Sequence, residues 1–209
     1  RLRRAEAARE PVLAQTGQVL ADHAMAFDVL SQMSGLAEEQ QVVDRILDLF
    51  YTLCAPARVV YLPFTNGTLG PARVCPAEGT ITSEELVGLV PPDLERSAAA
   101  LYDTDGFGLR LDGEEGVLGF LHVSHVAFPE HRNEYLNLGL AIRRVMALAV
   151  ENARHVEALE EARSELDRFF DLVPDMVCVA STDGFFKRLN PAWERVLGFT
   201  LQELLSRPF

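Results

Sequence analysis

From Leu138 to Phe170 the chain carries an apolar repeat longer than one compact domain needs. Leu138, Ile142, Val145, Ala149, Asn152, Val156, Leu159, Arg163, Leu166 and Phe170 are spaced by alternating fours and threes, and eight of the ten are apolar. Residues so spaced fall on one stripe of an α-helix, and a stripe kept over more than four heptads reads as a coiled-coil seam. No proline falls between Pro129 and Pro174, so one helix can run from about Glu130 towards Phe170. Up to about Ala149 the stripe suits either a sheet of the same chain or a second copy. Beyond Asn152 no sheet of its own remains to cover it, and a parallel homodimer is expected through residues 150–170, helped by residues 12–31. The seam is then Ile142, Val145, Ala149, Asn152, Val156, Leu159, Leu166 and Phe170. Asn152 and Arg163 are its polar positions, of the kind that sets register and copy number. Arg154, Glu157, Glu160 and Glu161 suit its solvent edges.

The preceding segments alternate between helix and hairpin. Residues 1–23 are rich in Ala, Arg, Glu and Gln. A helix is predicted from Pro11 to Gly35, with Leu13, Leu20, Phe27 and Leu30 on one face. A second covers about 38–53, where Val42, Val43, Ile46, Leu47, Phe50 and Leu53 follow the helical period. Residues 57–64 form an apolar strand, Asn66-Gly67 is a hairpin turn, and 68–75 return as its partner. In the crossing segment 76–104, Ser83 is placed to cap a helix over 84–89, with Glu85 in its first turn. Pro91-Pro92 breaks that helix, and another is predicted over 94–101. Strands over 106–111 and 117–126 flank a turn at Asp112-Gly113 and give a second hairpin. After the long helix come a strand at 176–180, a turn at Asp183-Gly184, a strand at 185–189, and a helix opened by Asn190-Pro191 that carries Trp193, Val196 and Leu197.

Two family resemblances follow. Phe169-Phe170, Pro174-Asp175, Asp183-Gly184, Asn190 to Trp193, Leu197-Gly198 and Glu203-Leu204 stand in the order of the front of a PAS sensor domain. The stretch from Gly116 resembles the closing strand and last helix of GAF domains in bacterial and archaeal sensor proteins. There GVLGFLHV is a strand, FPE a connection, and LAIRRVMALAVENAR a helix. The fold class these imply is α+β. A GAF-type antiparallel sheet flanked by helices is followed by a long coiled-coil helix and an incomplete PAS fold. The expected segments are a helical linker over 1–23, a GAF domain over 24–152, a connector over 153–168 and the front of a PAS domain over 169–209. Under half of a PAS domain is present, so the chain is expected to be a piece of a larger protein. Val177, Val179, Phe186, Leu189, Trp193, Val196 and Leu197 then lack a complete core of their own. They are expected to be ordered by packing on the GAF domain, the coiled coil or a second copy.

Composition narrows the partners. The 209 residues carry a formal net charge of −12, which argues against nucleic acid or an anionic membrane as a partner. No apolar run reaches the roughly 20 residues needed to span a bilayer. Three scattered cysteines, Cys54, Cys75 and Cys178, give neither a disulfide framework nor paired metal spacing. A reducing cytoplasm is the expected compartment.

Motifs for chemistry are sparse. His122 and His125 lie three apart in a predicted strand, point to opposite faces, and cannot share a metal without a bulge. His131 and His155 read as helix-surface residues. Cys75-Pro76 is a two-residue match to some haem-thiolate sites, and Cys54 and Cys178 read as small buried hydrophobes. The Cys–His pair of bilin-binding GAF domains is absent. No nucleophile elbow, Walker loop, Rossmann fingerprint, phosphoacceptor box or zinc motif is present. No catalytic residue and no metal ligand is therefore assigned, the segment is expected not to be an enzyme, and no cofactor is required. A ligand pocket is expected between the sheet and segment 76–104, lined from Tyr61, Phe64, Val74, Leu86, Leu89, Leu101, Tyr102, Phe107 and Leu121. The resemblance implies a sensory and relay segment of a cytoplasmic signalling protein, first of all a two-component histidine kinase. It would sense a small ligand or partner and act through dimeric helices on a downstream output domain of the same chain. The alternatives are a haem- or chromophore-binding GAF sensor, or a GAF-type free methionine sulfoxide reductase.

Overall fold

The computed structural model describes residues 38–77 and 82–208, together with Asp28, Ser31 and Leu36. Of the helix expected between Pro11 and Gly35, Asp28 and Ser31 are described, both helical. The rest of that helix and the linker 1–23 lie outside the described residues. The chain divides into two compact units, one ending at Val156 and the other beginning at Glu157.

In the first unit, α1 (Glu39–Cys54) buries Val42, Val43, Ile46, Leu47, Phe50 and Cys54 at helical spacing. Ala55 ends it in the left-handed conformation. The chain then forms β1 (Arg58–Thr65), β2 (Thr68–Leu69) and β3 (Arg73–Cys75). The Asn66-Gly67 turn joins β1 to β2, both residues having positive φ. Helix α2 (Ser83–Leu89) leads across to β4 (Ala100–Tyr102), β5 (Phe107–Asp112) and β6 (Val117–Ser124). The sheet order is β2-β1-β6-β5-β4, antiparallel throughout, with β3 beside β2 on the same edge of β1. One 3-10 turn, Pro129–His131, precedes α3 (Arg132–Leu172), a helix of 41 residues.

Both faces of this sheet are covered. On one face α1 and α3 pack with Val59, Tyr61, Phe107, Leu109, Leu111, Leu121 and Val123 in the larger core. Fully burying a side chain such as Phe50 or Ile142 stabilises by roughly 1.5–3 kcal/mol. Gly139 lets α3 close on the sheet, since a Cβ there would lie 2.5 Å from Leu109 Cδ1. On the other face Val60, Leu62, Leu94 and Phe120 form a smaller core with the partly buried Phe64, Val74, Leu86, Leu89 and Leu101. Arg154 closes one end of the unit. Its Nε and Nη2 donate to the two Glu39 oxygens at 2.8 and 2.7 Å, and it also reaches the carbonyls of Phe64 and Leu118. It is thus a partly buried clasp, and not the solvent-edge charge expected of a coiled coil.

The element order matches the sequence reading, with four corrections. The return strand predicted over 68–75 is two short strands, β2 and β3, interrupted at 70–72. The helix predicted over 94–101 is a turn at 94–96 followed by β4, because Ala100–Tyr102 pair with β5. The cap of α2 is Thr82, whose hydroxyl accepts from the Glu85 N–H while the Glu85 carboxylate accepts from the Thr82 N–H. Strand β6 ends at Ser124, so His125, at φ 52, is exposed beyond it.

The second unit holds the end of α3, a hairpin of β7 (Cys178–Ala180) and β8 (Phe186–Leu189), and the short helices α4 (Ala192–Leu197) and α5 (Leu201–Leu205). Asn190 is its hub. The side chain donates to the carbonyls of Val173 and Asp175 and accepts from the Val177 N–H. Trp193 Nε1 donates to the Val177 carbonyl, and its ring lies 5.0 Å from Phe186. Arg188 pairs with Asp167 at 2.6 Å and lies over the Phe170 ring. Among the described residues of this unit only Leu189, Asn190 and Ala192 are buried. Val179, Phe185, Val196, Leu197 and Phe199 stay exposed. Among the described residues no helix is long and apolar enough to cross a membrane.

Candidate functional site

The crossing segment covers its face of the sheet thinly. Helix α2 ends at Val90, which is extended, and Pro91-Pro92 prevents a restart. Residues 90–99 therefore run as an irregular strip, with Leu94 buried beneath it. A cleft opens on each side of this strip. The first, about 290 Å³, is walled by Leu89, Val90, Pro91, Leu101, Tyr102 and Phe120, with Asp103 and His122 as its polar groups. The second, about 530 Å³, lies between the strip and the β1–β2 hairpin, against Phe64, Leu69, Leu94 and the acidic Asp93 and Glu95.

His122 is the buried polar residue of the first cleft. Strand register sets it between Val60 of β1 and Gly108 of β5. Gly108 has no Cβ because the Phe120 ring lies across it. His122 Nε2 lies 3.3 Å from Asp103 Oδ2, and Nδ1 lies 3.0 Å from Ser124 Oγ. A neutral imidazole satisfies both contacts. Nε2–H donates to the carboxylate, and Nδ1 accepts from the hydroxyl. Burial holds the His122 pKa below its ordinary value, against the pull of Asp103, with Arg58 and His125 adding to the lowering. Ser124 is buried and is not among the lining residues, so this Ser–His–Asp row offers the cleft an imidazole and a carboxylate but no hydroxyl.

The predicted liners divide by strand face. Leu89, Leu101 and Tyr102 line the first cleft, Phe64 lines the second, and Val74 and Leu86 pack beneath the same segment. Tyr61, Phe107 and Leu121 lie on the opposite face, in the core under α1 and α3, and line neither cleft. The sequence reading missed Asp103, Phe120 and His122 as liners. His122 stands one residue from Leu121, and in a strand one residue exchanges the faces. Among the described residues no group of His, Cys, Asp or Glu could hold a metal. Burial pushes the Cys54 thiol up to about 12, and Cys75 is raised too, first by burial and then by Asp48, so thiolate chemistry is disfavoured at both.

The predicted seam divides as well. Ile142 is fully buried in the larger core, and Val145 and Ala149 pack partly on it, so Ile142 is not free to meet another copy. The 3.6-residue helical period turns the stripe onto the sheet at this point. Leu148 faces solvent instead, followed by Asn152, Val156, Leu159 (71 % exposed) and Leu166 (69 % exposed). Phe170 is half-buried beneath Arg188.

Residues 164–209 match the family model of a PAS domain. No curated protein matches the chain. Among solved structures the chain is similar to the native GAF domain of the potassium sensor histidine kinase KdpD from Escherichia coli. The two share 15 % identity over 64 % of this chain and 96 % of that one, with a TM-score of 0.49. It is also similar to the E. coli DhaR(N)–DhaL complex, with 13 % identity over 90 % of this chain and 71 % of that one, at a TM-score of 0.35.

Proposed function

We propose that the chain is the sensory and relay segment of a cytoplasmic signal-transduction protein, a two-component sensor histidine kinase foremost. A small molecule enters the cleft beside His122, and α3 carries the consequence towards the PAS-like part and an output domain beyond it. The segment itself binds and does not catalyse. One observation carries the reading. An irregular strip spans two clefts on one face of a rigid sheet, while the helix that runs on out of the unit is packed on the other face. Binding residues concentrate in such segments over rigid scaffolds. The mixed polar and apolar lining suits a small amphipathic ligand, and the Asp103 carboxylate, held by His122 Nε2–H, offers an acceptor to orient it.

Partnership belongs to the same proposal. The exposed stripe from Leu148 through Leu159 to Leu166 is the surface on which two copies pair in parallel. A ligand moves this assembly only by binding one helix arrangement better than the other.

Gly88 provides the test. It lines the cleft, and a Cβ added there meets nothing within 4 Å. Gly88→Phe therefore adds a ring at the rim of the cleft with room for its Cβ. The purified protein is expected to release a small molecule on denaturation in mass spectrometry, and Gly88→Phe to release none. A wild-type protein that carries nothing, and gains no thermal stability from any member of a metabolite panel, counts against ligand sensing at this cleft.

A further inference from the structure

We propose that Arg110, Asp112 and Arg143 form a coupling link between the strip that walls the two clefts and helix α3 on the far face of the sheet. The link deepens the sensor reading and depends on it for its purpose, but its test needs no ligand.

Arg110 projects from β5 under the strip. Its Nη1 donates to three carbonyls there, those of Leu94 at 3.2 Å, Glu95 at 2.8 Å and Ser97 at 2.6 Å. Leu94 and Glu95 wall the larger cleft. The strip's other hydrogen bonds among the described residues are local, such as Arg96 N–H to Asp93 and Ser97 Oγ to Leu94, apart from the Arg110 N–H to the Ala99 carbonyl. Arg110 is therefore its principal polar anchor on the sheet.

The other end of the link crosses to the helices. Asp112 Oδ1 lies 2.7 Å from Arg110 Nε, and Asp112 Oδ2 lies 2.6 Å from Arg143 Nη1 of α3. Arg143 also donates to the Arg110 carbonyl at 3.2 Å. Pairing between β5 and β6 changes register at Leu111/Asp112. One carboxylate at this irregular strand end thus meets a guanidinium from each layer. The three side chains are 17–28 % exposed, so their attraction is only partly screened. Helix shifts of about 1–2 Å are common in signalling transitions, and one of that size would break the bond between Arg143 and Asp112.

Arg143 is on this account a positioning residue for a wall it does not touch. Hydrogen–deuterium exchange of the intact chain, read by mass spectrometry, separates that from a simple staple. In Arg143→Met and in Asp112→Asn, amides of residues 93–98 are expected to exchange about tenfold faster, the effect of losing one charge-assisted bond. Amides of Val59–Leu62 in the sheet centre should keep their rates, and Arg143→Lys should recover most of the protection. If Arg143→Met does not fold, Arg143→Gln carries the same expectation. Unchanged exchange at 93–98 when Arg143 is altered overturns the proposal, because the link then ends at Asp112. Equal acceleration in the strip and in β1 overturns it too, because the variant then only lowers global stability. Failure to find a ligand would sink the sensor reading and leave these rates as they are.

Discussion

At the scale of the residue, His122 and Arg154 show how buried titratable and charged groups constrain this chain. The unfolded His122 takes a proton below its ordinary pKa of 6.5, whereas the folded one resists until a lower pH. Its contribution to stability is therefore complete above about pH 6.5 and is lost as pH falls from there towards the lowered folded value. The wild-type melting temperature should drop more between pH 7.5 and 5.5 than that of His122→Gln, in which the group is absent. Equal drops would mean that His122 charges freely in the folded state. Arg154→Met deprives Glu39 of a bidentate partner at a site about one-fifth exposed. Breaking a buried pair from one side costs about 3–5 kcal/mol, and the partial exposure here reduces that to about 2 kcal/mol, measurable by urea unfolding. The double variant with Glu39→Gln should recover part of the loss.

At the scale of the element, the crossing segment depends on local chemistry. Thr82→Ala removes the hydroxyl that caps α2, at a cost of about 1 kcal/mol. The loss should appear as faster amide exchange within 83–89, with the sheet unaffected. An unchanged α2 would mean that packing of Leu86 and Leu89 alone holds it. Legibility from sequence followed the same local rules. Helix α1, the turns of the three hairpins and the long helix announce themselves by period, turn residues and breakers. Strand β1 does not reveal its faces, because Val59, Val60, Tyr61 and Leu62 are all buried and no polar residue marks an outside. Tyr61 was thereby assigned to the cleft when it belongs to the helical core. Strand β4 was hidden because three residues paired at a sheet edge carry no alternation to read. The turn before it is held by Arg110, sixteen residues from Leu94 in sequence. An arginine within the otherwise apolar run Gly106 to Leu111 was the available sign of that role. The clasp of Arg154 on Glu39, 115 residues away, left none.

At the scale of the whole molecule, the proposed function links the cleft to a helix that is expected to pair with a second copy. Leu159→Asp with Leu166→Asp would place charge in a dry seam, a penalty of several kcal/mol. Light scattering should report a dimer for the wild type and a monomer for that variant, and a monomeric wild type at micromolar concentration removes the seam from the account. The central claim is that the state of the cleft is passed along α3. It is tested most directly by electron–electron distance measurement between spin labels at Glu161→Cys in the two copies, with Cys75 and Cys178 replaced by serine. Gly88→Phe, which changes the rim of the cleft, is predicted to shift the inter-label distance distribution relative to Gly88 while the dimer persists. Superimposable distributions, or no dipolar coupling in either protein, would contradict it.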